Sequence, residues 1–160
     1  MNPRVELLRA DISADLAKLR GLEQEYRDLL QRVDLNATSV SPYDKAAVGF
    51  YLQNFYNGCE NIFKTIARFF ENDLQAGSWH RDLLKRMVLE IQGIRPRVID
   101  DDLHVTLDDF RAFRHRFRHC YSFELDWDRE RLVAAKLVDA HAALVRQVTS
   151  FLARLEALDG

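Results

Sequence analysis

The chain has 160 residues, 48% of them apolar and 30% charged, with a formal net charge of −2. This length fits one domain, residues 1–160, that can bury a core without disulfide or metal staples, and the composition excludes a disordered chain. The near-neutral balance excludes polyanion binding by bulk charge alone, though a local basic face can still meet a phosphate backbone.

With six glycines and three prolines the chain has few breakers, which favours long helices over many short strands. Residues 4–35 read as a first helix. Val5, Leu8, Ile12, Leu16, Leu19, Tyr26, Leu29, Leu30 and Val33 recur at helical spacing, opposite a polar face that includes Arg9, Glu23 and Arg27. Residues 36–41 form a linker. Ser41-Pro42-Tyr43-Asp44 then opens a second helix, with a capping serine, a proline at the first position and an acid in the first turn. That helix spans about residues 42–72. Its stripe of Val48, Leu52, Phe55, Cys59, Ile62, Phe63, Ile66, Phe69 and Phe70 makes it the core helix.

Ser78 is placed as the cap of a shorter third helix through Ile91, with Trp79, Leu83, Leu84, Met87, Val88 and Ile91 inward. Gly93, Pro96 and the Asp100–Asp102 run mark residues 92–105 as irregular. Thr106 then caps a fourth helix, and Asp126 or Asp128 caps a last one ending near residue 158. Five helices with short connections predict an all-α bundle. No apolar run approaches the roughly 18 residues of a membrane span, and the N-terminus lacks a signal-peptide apolar region. A cytoplasmic protein is expected. Cys59 and Cys120 have no zinc-ligand spacing, and Cys59 reads as a small buried hydrophobe.

The fourth helix concentrates the chemistry. Four arginines and two histidines fall in the nine positions from Arg111 to His119, and Phe113, Phe117 and Tyr121 interleave them at four-residue steps. Arg114, His119 and Tyr121 together spell R-x4-H-x-Y. At about 100° per residue, a straight helix would carry His119 roughly 140° around from Arg114. Joint action on one phosphate therefore requires the helix to bend or end near His119. The plain reading of such a run is a solvated or acid-paired face. His115 and His119, at i and i+4, have zinc spacing but lack a third clustered ligand. His141, between Leu137 and Leu144, reads as a hydrogen-bonded core residue, and His104 as a surface or loop residue.

The R-x4-H-x-Y pattern resembles the signature of HEPN domains, specifically the HepT-like toxins. So do Tyr56-Asn57-Gly58-Cys59-Glu60-Asn61-Ile62-Phe63, Trp79-His80-Arg81-Asp82-Leu83-Leu84 and Phe113 to Tyr121, taken in that order. The likeness spans roughly residues 40–135. It implies a HEPN-type bundle that pairs as a homodimer, with Arg114 and His119 as the catalytic residues of a metal-independent ribonuclease. In that chemistry a base removes the 2′-hydroxyl proton, the oxygen attacks the adjacent phosphate, and an acid protonates the leaving 5′-oxygen. An unperturbed histidine, titrating near about 6.5, can serve either step, and arginine offers a fixed charge for phosphate oxygens. The resemblance further implies a type VII-like toxin–antitoxin pair. A nucleotidyltransferase (MNT) antitoxin would place AMP on Tyr121, and a larger hetero-oligomer with that antitoxin is compatible. Glu60 would orient the arginine, and Arg111, His115 and Arg118 would support contact with an RNA such as tRNA or mRNA. No cofactor is implied. The alternatives are a non-catalytic HEPN module that binds RNA or a nucleotidyltransferase, and a helical dimerisation protein with no nucleic-acid role.

Overall fold

The computed structural model describes residues 2–71 and 79–159. Among these, the expected all-α bundle is present: helices and turns, with one isolated bridge between Ile91 and Arg95. None of the described helices is long and apolar enough to cross a membrane.

Helix α1 spans Pro3–Leu29, opened by Asn2, whose side chain accepts the Arg4 N–H at 2.9 Å. Its inward stripe is the expected one, with Val5, Leu8, Ile12, Leu19 and Tyr26 buried. The helix stops at Leu29 rather than residue 35, where the chain turns and the Gln31 and Arg32 N–H groups donate three residues back, to the Asp28 (3.1 Å) and Leu29 (2.9 Å) carbonyls. Val33 is still buried, but from the turn. Glu23, expected on the polar face, is buried and paired with Arg27.

Helix α2, Pro42–Phe70, forms as the sequence dictates, with Ser41 Oγ accepting the Asp44 N–H at 3.0 Å. Val48, Leu52, Phe55, Cys59, Ile62, Phe63 and Ile66 are fully buried, each worth about 1.5–3 kcal/mol for the large side chains. This helix is the axis on which the others pack. Two glycines let neighbours come close. A Cβ on Gly58 would stand 2.3 Å from Leu19 Cδ2 of α1, and one on Gly49 would stand 2.5 Å from Phe117 Cε2.

Helix α3 covers Trp79–Arg86 and buries Leu83 and Leu84. The Ser78 cap, the inward placement of Trp79 and the residues expected to end α2 beyond Phe70 lie outside the described residues. The irregular stretch is 87–100, earlier than expected, because a buried cation organises it. The Arg95 side chain donates to the carbonyls of Arg86 (2.9 Å), Leu89 (3.0 Å) and Pro96 (3.1 Å), and pairs with Glu71 at 3.2 Å. Gly93 makes the turn at φ +79°.

Helix α4 spans Asp101–His119. The aspartate run opens this helix instead of blocking it, and Thr106 is not the cap. Asp100 accepts the Leu103 N–H at 2.8 Å, Asp101 and Asp102 occupy the positive first turn, and Gln147 holds Asp100 in place. A 3-10 turn follows at Ser122–Glu124. The last expected helix is divided in two, α5 at Trp127–Ala134 and α6 at Leu137–Asp159. Asp126 caps α5, and the Trp127 indole and Arg131 both donate to the Ala37 carbonyl, which ties α5 to the α1–α2 linker. The core closes with Phe55 against Phe110 at 5.0 Å and Phe70 against Phe151 at 6.2 Å.

Candidate functional site

The motif helix has an inner and an outer face. Leu103, Leu107, Phe110, Phe113 and Arg114 are buried, while His115, Arg116, Arg118 and His119 are exposed. Residues 103, 107, 110 and 114 follow the i, i+3, i+4 stripe of a core-facing helix, so Arg114 is drawn inward with the apolar residues.

A charged partner must meet it there, and Glu60 of α2 does. Arg114 donates to both carboxylate oxygens of Glu60, at 3.1 and 2.9 Å, and to Asn57 Oδ1 at 2.9 Å. The guanidinium carbon lies 4.6 Å from the centre of the Tyr56 ring, and Lys64 approaches Glu60 at 3.5 Å. Side-chain exposures of 8% for Arg114 and 6% for Glu60 make this a buried ion pair rather than a surface one. Burial, with Glu60 second, pushes the Tyr56 hydroxyl well above the ordinary tyrosine range. Asn57 and Tyr56 entered the sequence reading only within the matching block, with no site role. Their signal was present: they precede Glu60 by three and four residues, on the same helix face.

Helix α4 ends at His119, as joint action on one phosphate required, and Cys120 continues in extended backbone. The His115 and His119 rings lie 4.8 Å apart, one turn from each other. They border a cavity of about 390 Å³ together with Phe113, Arg116, Leu125 and Glu130. Arg114 does not line this cavity. Within one chain the structure brings His115 and His119 together at the cavity, and Arg114 and Glu60 together on the inner face of α4. Arg111 is half-exposed and paired with Asp108 at 2.7 Å, while Arg118 stands free of the core.

Tyr121 is 72% exposed, and its ring stacks on that of Phe123. Its backbone N–H donates to Glu124 Oε1 at 2.8 Å. Glu130 of α5 is another residue that sequence reasoning passed over. It is 1% exposed, and neither carboxylate oxygen has a hydrogen-bond partner. Burial pushes its carboxyl up to about 8, against a smaller opposing pull from Lys45. Burial also raises the Cys120 thiol, with Glu124 and Glu130 adding to the effect. Cys59 is fully buried, as expected.

One histidine expectation changes. His141 is half-buried edge-on to Phe55, but its Nε2 is buried without a hydrogen-bond partner, and burial lowers its pKa. His104 sits in the first turn of α4 and is partly covered. Among the described residues, no three His, Cys, Asp or Glu side chains cluster closely enough to hold a metal ion.

A family model described as HepT-like protein matches residues 47–155, from the first turns of α2 to near the end of α6. No curated protein and no solved structure matches the chain.

Proposed function

The chain belongs to the HepT-like family of HEPN-domain proteins, and on that premise we propose that it is a ribonuclease toxin silenced by AMPylation. The observation that carries the reading is the exposed His115–His119 pair at the open end of α4, on the helix whose Arg114 is clamped by Glu60. An exposed imidazole at a helix end can reach a ribose; a buried one cannot. Neutral His119 takes the 2′-hydroxyl proton, the 2′-oxygen bonds to phosphorus, and the bond from phosphorus to the 5′-oxygen breaks. The protonated His119 of a second copy gives its proton to that oxygen, leaving a 2′,3′-cyclic phosphate and a 5′-hydroxyl. Histidine and arginine suffice for this chemistry, so no metal is invoked.

A two-chain cleft would bring a second His119 and a second Arg114 to the same phosphate, enough for base, acid and charge stabilisation. Glu60 and Asn57 are positioning residues that hold the Arg114 guanidinium in one orientation before substrate arrives. Arg116 and Arg118 are exposed and take flanking phosphates of a tRNA or mRNA. Arg111, already paired with Asp108, contributes less. Tyr121 presents an accessible hydroxyl two residues beyond His119. An AMP placed there by a nucleotidyltransferase antitoxin would exclude RNA by bulk and repulsion.

The test is cleavage in excess chelator by wild type and by His119→Ala. A loss of at least about 100-fold is expected, the scale of losing a general acid–base group. Wild-type-like cleavage by a folded His119→Ala protein would overturn the assignment. The burial of Arg114 away from the cavity favours a second reading, a non-catalytic HEPN module. RNA binding without any cleavage by wild type selects that reading.

A further inference from the structure

Two large aromatic side chains stand in solvent immediately beyond His119. Tyr121 is 72% exposed and Phe123 is 75% exposed. Their rings are parallel, with an interplanar angle of 3° and centroids 5.4 Å apart. The turn that carries them is held by two reciprocal bonds. Tyr121 N–H donates to Glu124 Oε1 at 2.8 Å, and Glu124 N–H donates to the Tyr121 carbonyl at 2.9 Å. The pair is thus a held and largely exposed aromatic surface.

Its surroundings favour one occupant. Arg116 and Arg118 are exposed on the preceding turns of α4 and carry positive charge, and His115 and His119 are exposed among them. The nearby acids are largely engaged: Glu124 receives the Tyr121 N–H, and Asp126 lies 3.6 Å from Arg129. Flat π faces near exposed cations match a chain that alternates flat bases with phosphates. A duplex hides its base faces inside its own stack, so only an unpaired base has a face to give. Phenylalanine has no hydrogen-bonding group and therefore reads the face, not the edge, of whatever sits on it.

We propose that Tyr121 and Phe123 form a stacking platform for an unpaired base of single-stranded RNA beside the His119 end of α4. This rests on the ribonuclease reading and adds what it leaves open, the strandedness of the substrate. Cleavage on this platform falls within or beside single-stranded segments, with little preference for base identity.

The test separates binding from cleavage. A fluorescein-labelled 2′-O-methyl oligoribonucleotide keeps its bases but lacks the attacking hydroxyl. Its affinity is measured by anisotropy for wild type, Phe123→Ala and Phe123→Trp, both as a single strand and closed into a hairpin stem. Phe123 is so exposed that neither substitution disturbs the core. For the single strand, Phe123→Ala should weaken binding roughly tenfold, the scale of one lost base–aromatic stack, and Phe123→Trp should restore it. For the stem, all three proteins should bind alike. Equal single-strand affinity in wild type and Phe123→Ala would overturn the platform. If wild type still cleaved unmodified RNA in that case, the ribonuclease reading would stand without it. A wild type that neither binds nor cleaves RNA would remove both. Unchanged RNA affinity with a shift of Phe123→Ala to a smaller species in sedimentation would assign the pair to a protein contact instead.

Discussion

Glu130→Gln isolates one buried group whose effect on stability has a definite sign. The carboxyl titrates at about 8 in the fold against 4.5 when unperturbed, because burial penalises its charged form and only Lys45 opposes this. A raised folded-state pKa means that the native state holds a proton which the unfolded state releases. The contribution to stability is fully present below about pH 4.5 and is lost progressively as pH rises to about 8. At about 1.36 kcal/mol per pH unit, the rise from 4.5 to about 8 amounts to roughly 5 kcal/mol over the full window, of which roughly 3 is lost by pH 7. Glutamine keeps the shape and removes the ionisation. Its amide has the same shortage of partners as the neutral carboxyl, since both Glu130 oxygens lack hydrogen bonds. Urea unfolding followed by circular dichroism at pH 5, 7 and 8.5 should therefore show Glu130→Gln gaining on wild type as pH rises. The gap should widen by about 4 kcal/mol across that range. Wild-type and variant stabilities that run parallel from pH 5 to 8.5 would refute the reasoning.

Glu60→Ala should destabilise the fold by about 3–5 kcal/mol, because it strands the buried Arg114 charge. Pairing Glu60→Leu with Arg114→Met should recover most of that loss, and a cost below about 1 kcal/mol for Glu60→Ala in urea unfolding would contradict a tight buried pair. Gly49→Ala should cost about 1–3 kcal/mol despite the better helix propensity of alanine, since its Cβ would meet the Phe117 ring at 2.5 Å. Phe117→Leu in the same chain should relieve the clash, which a thermal melt of the single and double variants will report. Tyr121→Phe should fold normally, as the ring is exposed, yet accept no adenylyl group from the nucleotidyltransferase antitoxin proposed above. Intact mass after incubation with ATP reads this directly, and a persisting adduct would move the site elsewhere.

The stripes of α1 and α2 were legible because they repeat over many turns, and Ser41-Pro42 marked a helix start in two residues. The start of α4 was misplaced for a local reason. Three aspartates are poor helix interior but good first-turn residues, and only the position of Gln147 shows which role applies. Arg114 is indistinguishable by residue type from Arg116 and Arg118. Its spacing from Phe110 and Leu107 carries the inward orientation, and resemblance alone proposed Glu60 as its partner. Glu130 could not have been found. It lies in the run Asp128-Arg129-Glu130-Arg131, which reads as a solvated face, and its burial arises only because α5 settles against α2 near Gly49.

The family pattern and the folding unit do not share a boundary. The matched residues, 47–155, leave out all of α1 and the Ser41-Pro42 start of α2. Yet Leu19 of α1 fills the space that Gly58 leaves open, and the Tyr26 hydroxyl crosses the core to the Ala134 carbonyl at 2.7 Å. Arg9 reaches the other end of the bundle, donating to the Leu152 carbonyl and pairing with Glu156 at 2.6 Å. A fragment trimmed to the matched residues would keep each residue proposed for chemistry and lose one wall of the core behind them. The α2 stripe would then face water along the side that Leu8, Ile12, Leu19 and Tyr26 now cover. The portion of the chain that carries the recognisable pattern is thus smaller than the portion that must be inherited together for that pattern to have a shape.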